Sequence, residues 1–167
     1  MFLGTADAMG KTPKLSDLYD PTSRKHLLAN TFPKKEALQA ALRSLEKVFL
    51  SYNVTVFRPD SVANCNQIFA RDLGFVIDDI WVRANIIQHR ADELHGLKTL
   101  QELIPKEKQL VFPENVHVEG GDVIIHDEHI FVGICTRKDY ADLLTARTNL
   151  AAVNALQDAF PHKKVIP

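Results

Sequence analysis

A supersecondary pattern that returns at a fixed interval constrains this chain more than any other feature. A repeated unit that cannot bury its own apolar face has to stack on its neighbours. Asp72 and Asp122, Ile80 and Ile130, Trp81 and Phe131, and Val82 and Val132 each stand fifty positions apart. In the first copy, Phe75-Val76-Ile77 and Ile80-Trp81-Val82 flank the turn-forming pair Asp78-Asp79, which predicts a hairpin. HRADELHGLKTLQELI then predicts a helix, and Gln109-Leu110-Val111-Phe112 a strand ended by Pro113. The second copy repeats the order: a hairpin VIIHDEHIFV turning at Asp127-Glu128-His129, a helical stretch from Arg137 to Phe160, and a strand Lys164-Val165-Ile166. Two ββαβ units are therefore expected, at about residues 72–113 and 122–167, with Asp72 and Asp122 at equivalent places and at the same end of the structure.

Upstream of the repeat, Pro33 precedes KKEALQAALRSLEKVFLSY. Its Ala37, Leu38, Leu42, Leu45, Val48 and Phe49 fall on one face of an amphipathic helix, and Val54, Val56 and Phe57 then predict a strand. Residues 1–33 show no clean period and carry Gly, Pro, Ser and Asp, so they are expected to be a loop-rich lead-in to a domain over 34–167. The 167 residues are 46% hydrophobic and 25% charged, the composition of one ordinary globular domain. A net charge of -1 gives no sign of the basic excess that nucleic-acid binding requires, so a small-molecule site is the better expectation. No apolar run approaches the roughly 18 residues of a membrane span, and the start MFLGTADAMGKT does not read as a secretory signal, which leads to the expectation of a cytoplasmic protein with no membrane partner. Cys65 and Cys135 are too few and too far apart for a disulfide framework or a thiolate zinc site.

Three segments place charge where a fold usually avoids it. Arg71-Asp72 stands at the entrance of an apolar strand, where the simplest alternative is a surface ion pair worth little. Glu119-Gly120-Gly121-Asp122 brackets two glycines with carboxylates, and glycine permits close backbone approach or positive φ at a turn that can face a pocket. Arg137 follows Gly133-Ile134-Cys135-Thr136 at a strand-to-helix junction, and the corresponding junction of the first copy runs from Arg83 to Arg90. Arginine forks and carboxylates at the ends of units suit a ligand that carries both a cation and an anion, such as an amino acid with a guanidinium group.

FARDLGFVI, VEGGDVI and GICTRKD, in that order, resemble the consecutive motifs of the superfamily of arginine deiminases, dimethylarginine dimethylaminohydrolases and amidinotransferases, over about Asn66 to Asp139. The resemblance implies an α/β fold of the pentein type, a propeller of five ββαβ units of which this chain would form about three. It implies that Asp72 and Glu119 are catalytic carboxylates gripping a substrate guanidinium. Asn66, Phe69, Arg71, Asp122, Arg137 and Arg90 would bind the rest of the substrate, the two last through its carboxylate. The implied reaction is attack of a thiolate on the guanidinium carbon, with a histidine acid/base and a covalent amidino-thioether.

The same resemblance puts the catalytic His and nucleophilic Cys beyond this sequence, so the chain alone is expected to be inactive. Cys135 stands where the family pattern has Ser, and Lys138 where it has Thr; Cys135 and Cys65 are both read as structural thiols rather than nucleophiles. His117, His126 and His129 scatter over both faces of their strands and form no metal site, and no cofactor is expected. The expected partners are a small guanidine such as arginine or a derivative, and a second chain paired through open strand edges. The alternative is a non-catalytic module that uses the same scaffold for binding or assembly.

Overall fold

The computed structural model describes residues 1–134 and 147–167. Its centre is a pair of three-stranded sheets built alike. β1 (Gly74–Ile77) pairs antiparallel with β2 (Ile80–Arg83), which pairs parallel with β3 (Gln109–Val111). β4 (Val123–His126), β5 (His129–Val132) and β6 (Lys164–Ile166) repeat that arrangement. Both hairpins close in two residues, the first of each in the left-handed region: Asp78 at φ 54° and Asp127 at φ 49°. Aspartate tolerates that conformation and suits the turn whose twist matches the strands.

The interval between the units is not the same throughout. The hairpin turns begin at Asp78 and Asp127, one position closer than the fifty that separates Asp72 from Asp122. Leu73 O accepts from Ala84 N, and Asp122 O accepts from Gly133 N, so Asp122 matches Leu73 in the backbone and not Asp72. The reason is local. α3 (Ala70–Leu73), one turn of α-helix, leads into β1, whereas a tighter and shorter 3₁₀ turn, Gly120–Asp122, leads into β4.

The two sheets share a core. Phe75, Ile77 and Val82 of the first unit meet Val123, Ile130 and Val132 of the second, and α5 (Leu150–Ala159) covers the latter with Ala152, Val153 and Leu156. A fully buried side chain such as Leu156 or Ile130 is worth about 1.5–3 kcal/mol. A smaller cluster of Leu73, Trp81, Ala84, Ile86 and Leu97 lies on the other side of the first sheet. α5 starts at Leu150 because Asn149 caps it, accepting from Ala152 N at 3.0 Å. The expected single helix from Arg137 to Phe160 is corrected: Arg147, Thr148 and Asn149 are not helical, and residues 135–146 lie outside the described ones.

Three further expectations are corrected. The segment from His89 to Ile104 is not one α-helix but a 3₁₀ run Gln88–Leu97 followed by α4 (Lys98–Leu103). Its buried Arg90, Glu93 and Gly96 recur every third residue, the period at which side chains of a 3₁₀ helix eclipse. Val54–Phe57 forms no strand; Phe57 makes a single bridge to Phe2. The lead-in is not merely loop: it holds α1 (Pro21–Leu28), capped by Asp20 with Pro at its first turn, and it buries Leu3, Thr5 and Ala6. Thr5 N donates to Gln67 O at 2.9 Å, which ties the first residues to the stretch ahead of α3. α2 (Lys35–Ser51) forms as the apolar spacing predicts, but it buries no residue.

Candidate functional site

A cleft of about 790 Å³ opens between the lead-in and a wall formed by the stretch from Ala63 to Asp72, the 3₁₀ run at His89 to Glu93, and Arg147. Tyr19, Asp20 and Phe32 line one wall, and Asn66, Phe69, Asp72, Arg90, Glu93 and Arg147 the other. The floor is a cluster of three carboxylates and two guanidiniums. Arg90 lies at its centre: Nε and Nη2 each donate to Glu93 at 2.6 Å, while Nη1 donates to Asp72 Oδ2 at 2.6 Å and to Glu119 Oε2 at 3.2 Å. Arg147 Nη2 stands 2.9 Å from Glu119 Oε2 and 3.7 Å from Asp72 Oδ2. Asp72 is 8% exposed, Arg90 and Glu93 5%, and Glu119 0%, so the ion pairs are shielded from water.

Local structure explains why these groups meet. α3 turns Asp72 inward, and the eclipsed 3₁₀ spacing sets Arg90 and Glu93 on one face, three residues apart. Gly120 and Gly121 let the second unit come in close: a Cβ on Gly120 would strike the Arg71 carbonyl oxygen, and one on Gly121 the Asp72 carboxylate. Among the described residues no glycine has positive φ, so close approach is what this pair supplies.

Electrostatics follows from the geometry. Burial pushes the Glu119 carboxyl above its ordinary pKa, opposed by Arg147 and Arg90. Glu93 is likewise raised by burial against the pull of Arg90. Burial alone would depress Arg90, but Glu93 and Asp72 outweigh it and hold the guanidinium charged. Glu119 Oε1 and Arg147 Nε are buried and have no hydrogen-bond partner among the described residues. Among the described residues, three acids face two bases, one negative charge in excess when all are ionised.

The sequence-derived candidates divide into groups. Asp72, Glu119 and Arg90 meet in the cluster, and Asn66 and Phe69 line the cleft above it, with the Phe69 ring centroid 5.8 Å from Arg90 Cζ. Arg90, expected to meet a substrate carboxylate, is held instead by Glu93, Asp72 and Glu119 of the chain itself, and Arg71 and Asp122 are also placed otherwise than expected. Arg71 donates to Gly120 O at 3.0 Å and Val123 O at 2.7 Å, so it clamps the units together instead of lining the cleft. Asp122 accepts from Arg147 N at 3.0 Å and Thr148 Oγ1 at 2.8 Å, which holds the backbone that presents Arg147. Arg137 and Cys135 lie outside the described residues.

Sequence reasoning missed Glu93, Arg147 and Tyr19. Asn149 ahead of an apolar run is an N-cap signal that would have started the helix at Leu150 and freed Arg147 from it. The period of three in Arg90-x-x-Glu93-x-x-Gly96 would have paired Glu93 with Arg90. Nothing local marks Tyr19, which reaches the cleft only through the fold of the lead-in, its ring 5.3 Å from that of His89. Among the described residues, no cluster of His, Cys, Asp or Glu is arranged to hold a metal, and no helix is long and apolar enough to cross a membrane.

No family model matches the chain. It is 27% identical to the uncharacterized protein YkgA of Bacillus subtilis (strain 168), across 92% of this chain and 49% of that protein. Among solved structures it is similar to the N-terminal domain of ArgZ, a cyanobacterial arginine dihydrolase of the ornithine-ammonia cycle, at 13% identity and a TM-score of 0.73, covering 99% of this chain and 55% of that one. The amidinotransferase SxtG of Microseira wollei, from the saxitoxin biosynthetic pathway, matches at 13% identity and a TM-score of 0.69, covering 99% and 57%. The dimethylarginine dimethylaminohydrolase of Pseudomonas aeruginosa, complexed with citrulline, matches at 17% and 0.67, covering 95% and 58%. The chain spans about half the length of the proteins it matches. Likeness at this identity shows the fold: the chain has the architecture of part of a pentein propeller, two mixed ββαβ sheets in sequence.

Proposed function

We propose that this chain supplies the guanidinium-gripping side of a centre that hydrolyses or transfers an amidine group, acting on arginine or a derivative. The observation that carries the proposal is the acid-rich cluster at the floor of the cleft, in which Asp72 and Glu119 converge and, among the described residues, three carboxylates face two guanidiniums. A planar cation with several N–H donors answers that charge and that geometry together. Two carboxylates holding its edges orient the central carbon and keep the group protonated, hence electrophilic. Asn66 and Phe69, at the rim, would meet the remainder of the ligand.

The reaction that fits such a grip is attack by a thiolate on the guanidinium carbon. The bond to the departing amine breaks as that amine takes a proton, and water or a second amine then resolves the amidino-thioether. Cys65 does not serve as that thiolate. It lines the cleft, but burial first, then Glu93 and Asp92, push its thiol up to about 11, so it stays protonated at neutral pH.

The test is calorimetric titration of L-arginine into the chain, its Asp72→Asn variant and its Glu119→Gln variant. Binding that is lost in both variants supports the site; binding that neither change weakens removes the assignment. The second reading is a non-catalytic module that uses the same scaffold for binding or assembly. The full-length gene product separates the two: a histidine motif followed later by a cysteine that forms an amidino adduct with L-arginine supports the enzyme, and the absence of both supports the module.

A further inference from the structure

The carboxylates assigned to an external guanidinium already hold an internal one. Arg90 uses two edges for two purposes: the Nε and Nη2 edge forks onto Glu93 at 2.6 Å, and Nη1 alone reaches Asp72 at 2.6 Å and Glu119 at 3.2 Å. An empty seat would leave Asp72 and Glu119 facing each other across a buried space with, among the described residues, Arg147 alone beside them, and an uncompensated buried charge is costly. Building the place-holder into the chain avoids that state.

We propose that Arg90 is an internal place-holder for a ligand guanidinium, so that binding is the exchange of one guanidinium for another at Asp72 and Glu119 while Glu93 keeps its hold on Arg90. The inference rests on the guanidinium-binding reading of the site given above and adds the means of entry. Glu93 is then a positioning residue: its bidentate grip limits Arg90 to a swing that frees Nη1. The face of Phe69, on the cleft side and 5.8 Å from Arg90 Cζ, offers the displaced guanidinium a surface to rest against.

Exchange has two consequences. The incoming group has to restore bonds to two carboxylates at once, which a planar guanidinium or amidinium with parallel N–H donors does and a compact alkylammonium does not. The site therefore selects guanidines over amines such as ornithine by geometry rather than by charge. Competition from Arg90 also lowers apparent affinity, because the seat is vacant for only a fraction of the time.

Guanidinium chloride at millimolar concentration, with methylammonium chloride as the control of equal charge, is titrated calorimetrically into the chain and its Arg90→Lys and Asp72→Asn variants. Lysine keeps the positive charge but cannot fork onto Glu93 and reach Asp72 together. Arg90→Lys is expected to bind guanidinium about tenfold more tightly than wild type, as removal of a competing state requires, and neither protein should bind methylammonium comparably. Equal or weaker binding by Arg90→Lys, with Asp72→Asn still abolishing binding, overturns the place-holder and leaves the site intact. Guanidinium binding that Asp72→Asn does not weaken, or no binding to wild type at all, removes the site itself and the exchange with it. Should Arg90→Lys fail to fold, arginine side-chain nitrogen resonances of the wild type decide: guanidinium is expected to shift the Arg90 Nη signals and leave its Nε–H in place. Saturation without a change at Nη overturns the exchange.

Discussion

Replacing Glu119 by glutamine sets stability against binding in opposite directions. Glu119 is fully buried, and its Oε2 accepts from Arg147 at 2.9 Å and Arg90 at 3.2 Å. Two charge-assisted bonds of about 1.5–3 kcal/mol each favour the carboxylate, and an effective burial penalty of several kcal/mol opposes it. The raised pKa shows which term is larger: in the folded chain the protonated acid is favoured relative to water, and glutamine resembles that acid in shape and charge. Glu119→Gln should therefore stabilise the chain at pH 7 by ~1–2 kcal/mol, seen as a rise in melting temperature of about 2–8 °C.

The pH dependence has a definite sign. Because the folded pKa lies above the unfolded value, the folded wild type binds the extra proton as pH falls, and its stability gains relative to the variant. The gap should close as pH descends through the raised Glu119 pKa toward the ordinary glutamate value of 4.5. Urea unfolding of both proteins across that range is the assay. A variant less stable than wild type at pH 7, or a gap that widens toward acid, would refute the reasoning, since it would mean that the two guanidiniums outweigh burial.

Other changes act on the supports of the site. Arg71→Met removes the bonds to Gly120 O and Val123 O and should cost about 2 kcal/mol in denaturant unfolding, measured beside an unchanged secondary-structure spectrum. Asn149→Ala deletes the α5 cap together with its bonds to His117 N and Asn115 O, for a loss of about 2 kcal/mol by the same assay. Gly120→Ala forces a Cβ against the Arg71 carbonyl and should lower stability by about 1–3 kcal/mol, whereas a neutral outcome would show that the two units are not packed so closely. Cys65, with its thiol pushed up to about 11, should react with iodoacetamide at pH 7.5 on the order of a hundredfold more slowly than free cysteine, followed by mass spectrometry.

The hairpins were legible because their apolar runs and aspartate turns are local signals. So was the shared order of two ββαβ units, which the two sheets repeat. The even fifty-residue interval was not fully so, because the helical turn at Ala70–Leu73 and the tighter one at Gly120–Asp122 differ in length, a difference that no side-chain pattern announces. The lead-in was opaque for a related reason. Its buried Leu3 and Thr5 have backbone partners more than fifty positions downstream, Phe57 and Gln67, so no local period reveals them. In the cleft, Asp72 and Glu119 were found through their motifs. Arg71 stands beside Asp72 yet turns to the backbone of the second unit, which residue type alone does not decide. Glu93 and Arg147 become part of the cluster only once a 3₁₀ run and a helix cap fix which way they face.

A crystal structure of the chain soaked with L-arginine bears most directly on the guanidinium grip. The ligand guanidinium should lie within about 2.7–2.9 Å of carboxylate oxygens of both Asp72 and Glu119, with Arg90 still forked onto Glu93 and its Nη1 turned away. A ligand bound through other residues, with Arg90 Nη1 still on Asp72, would contradict it.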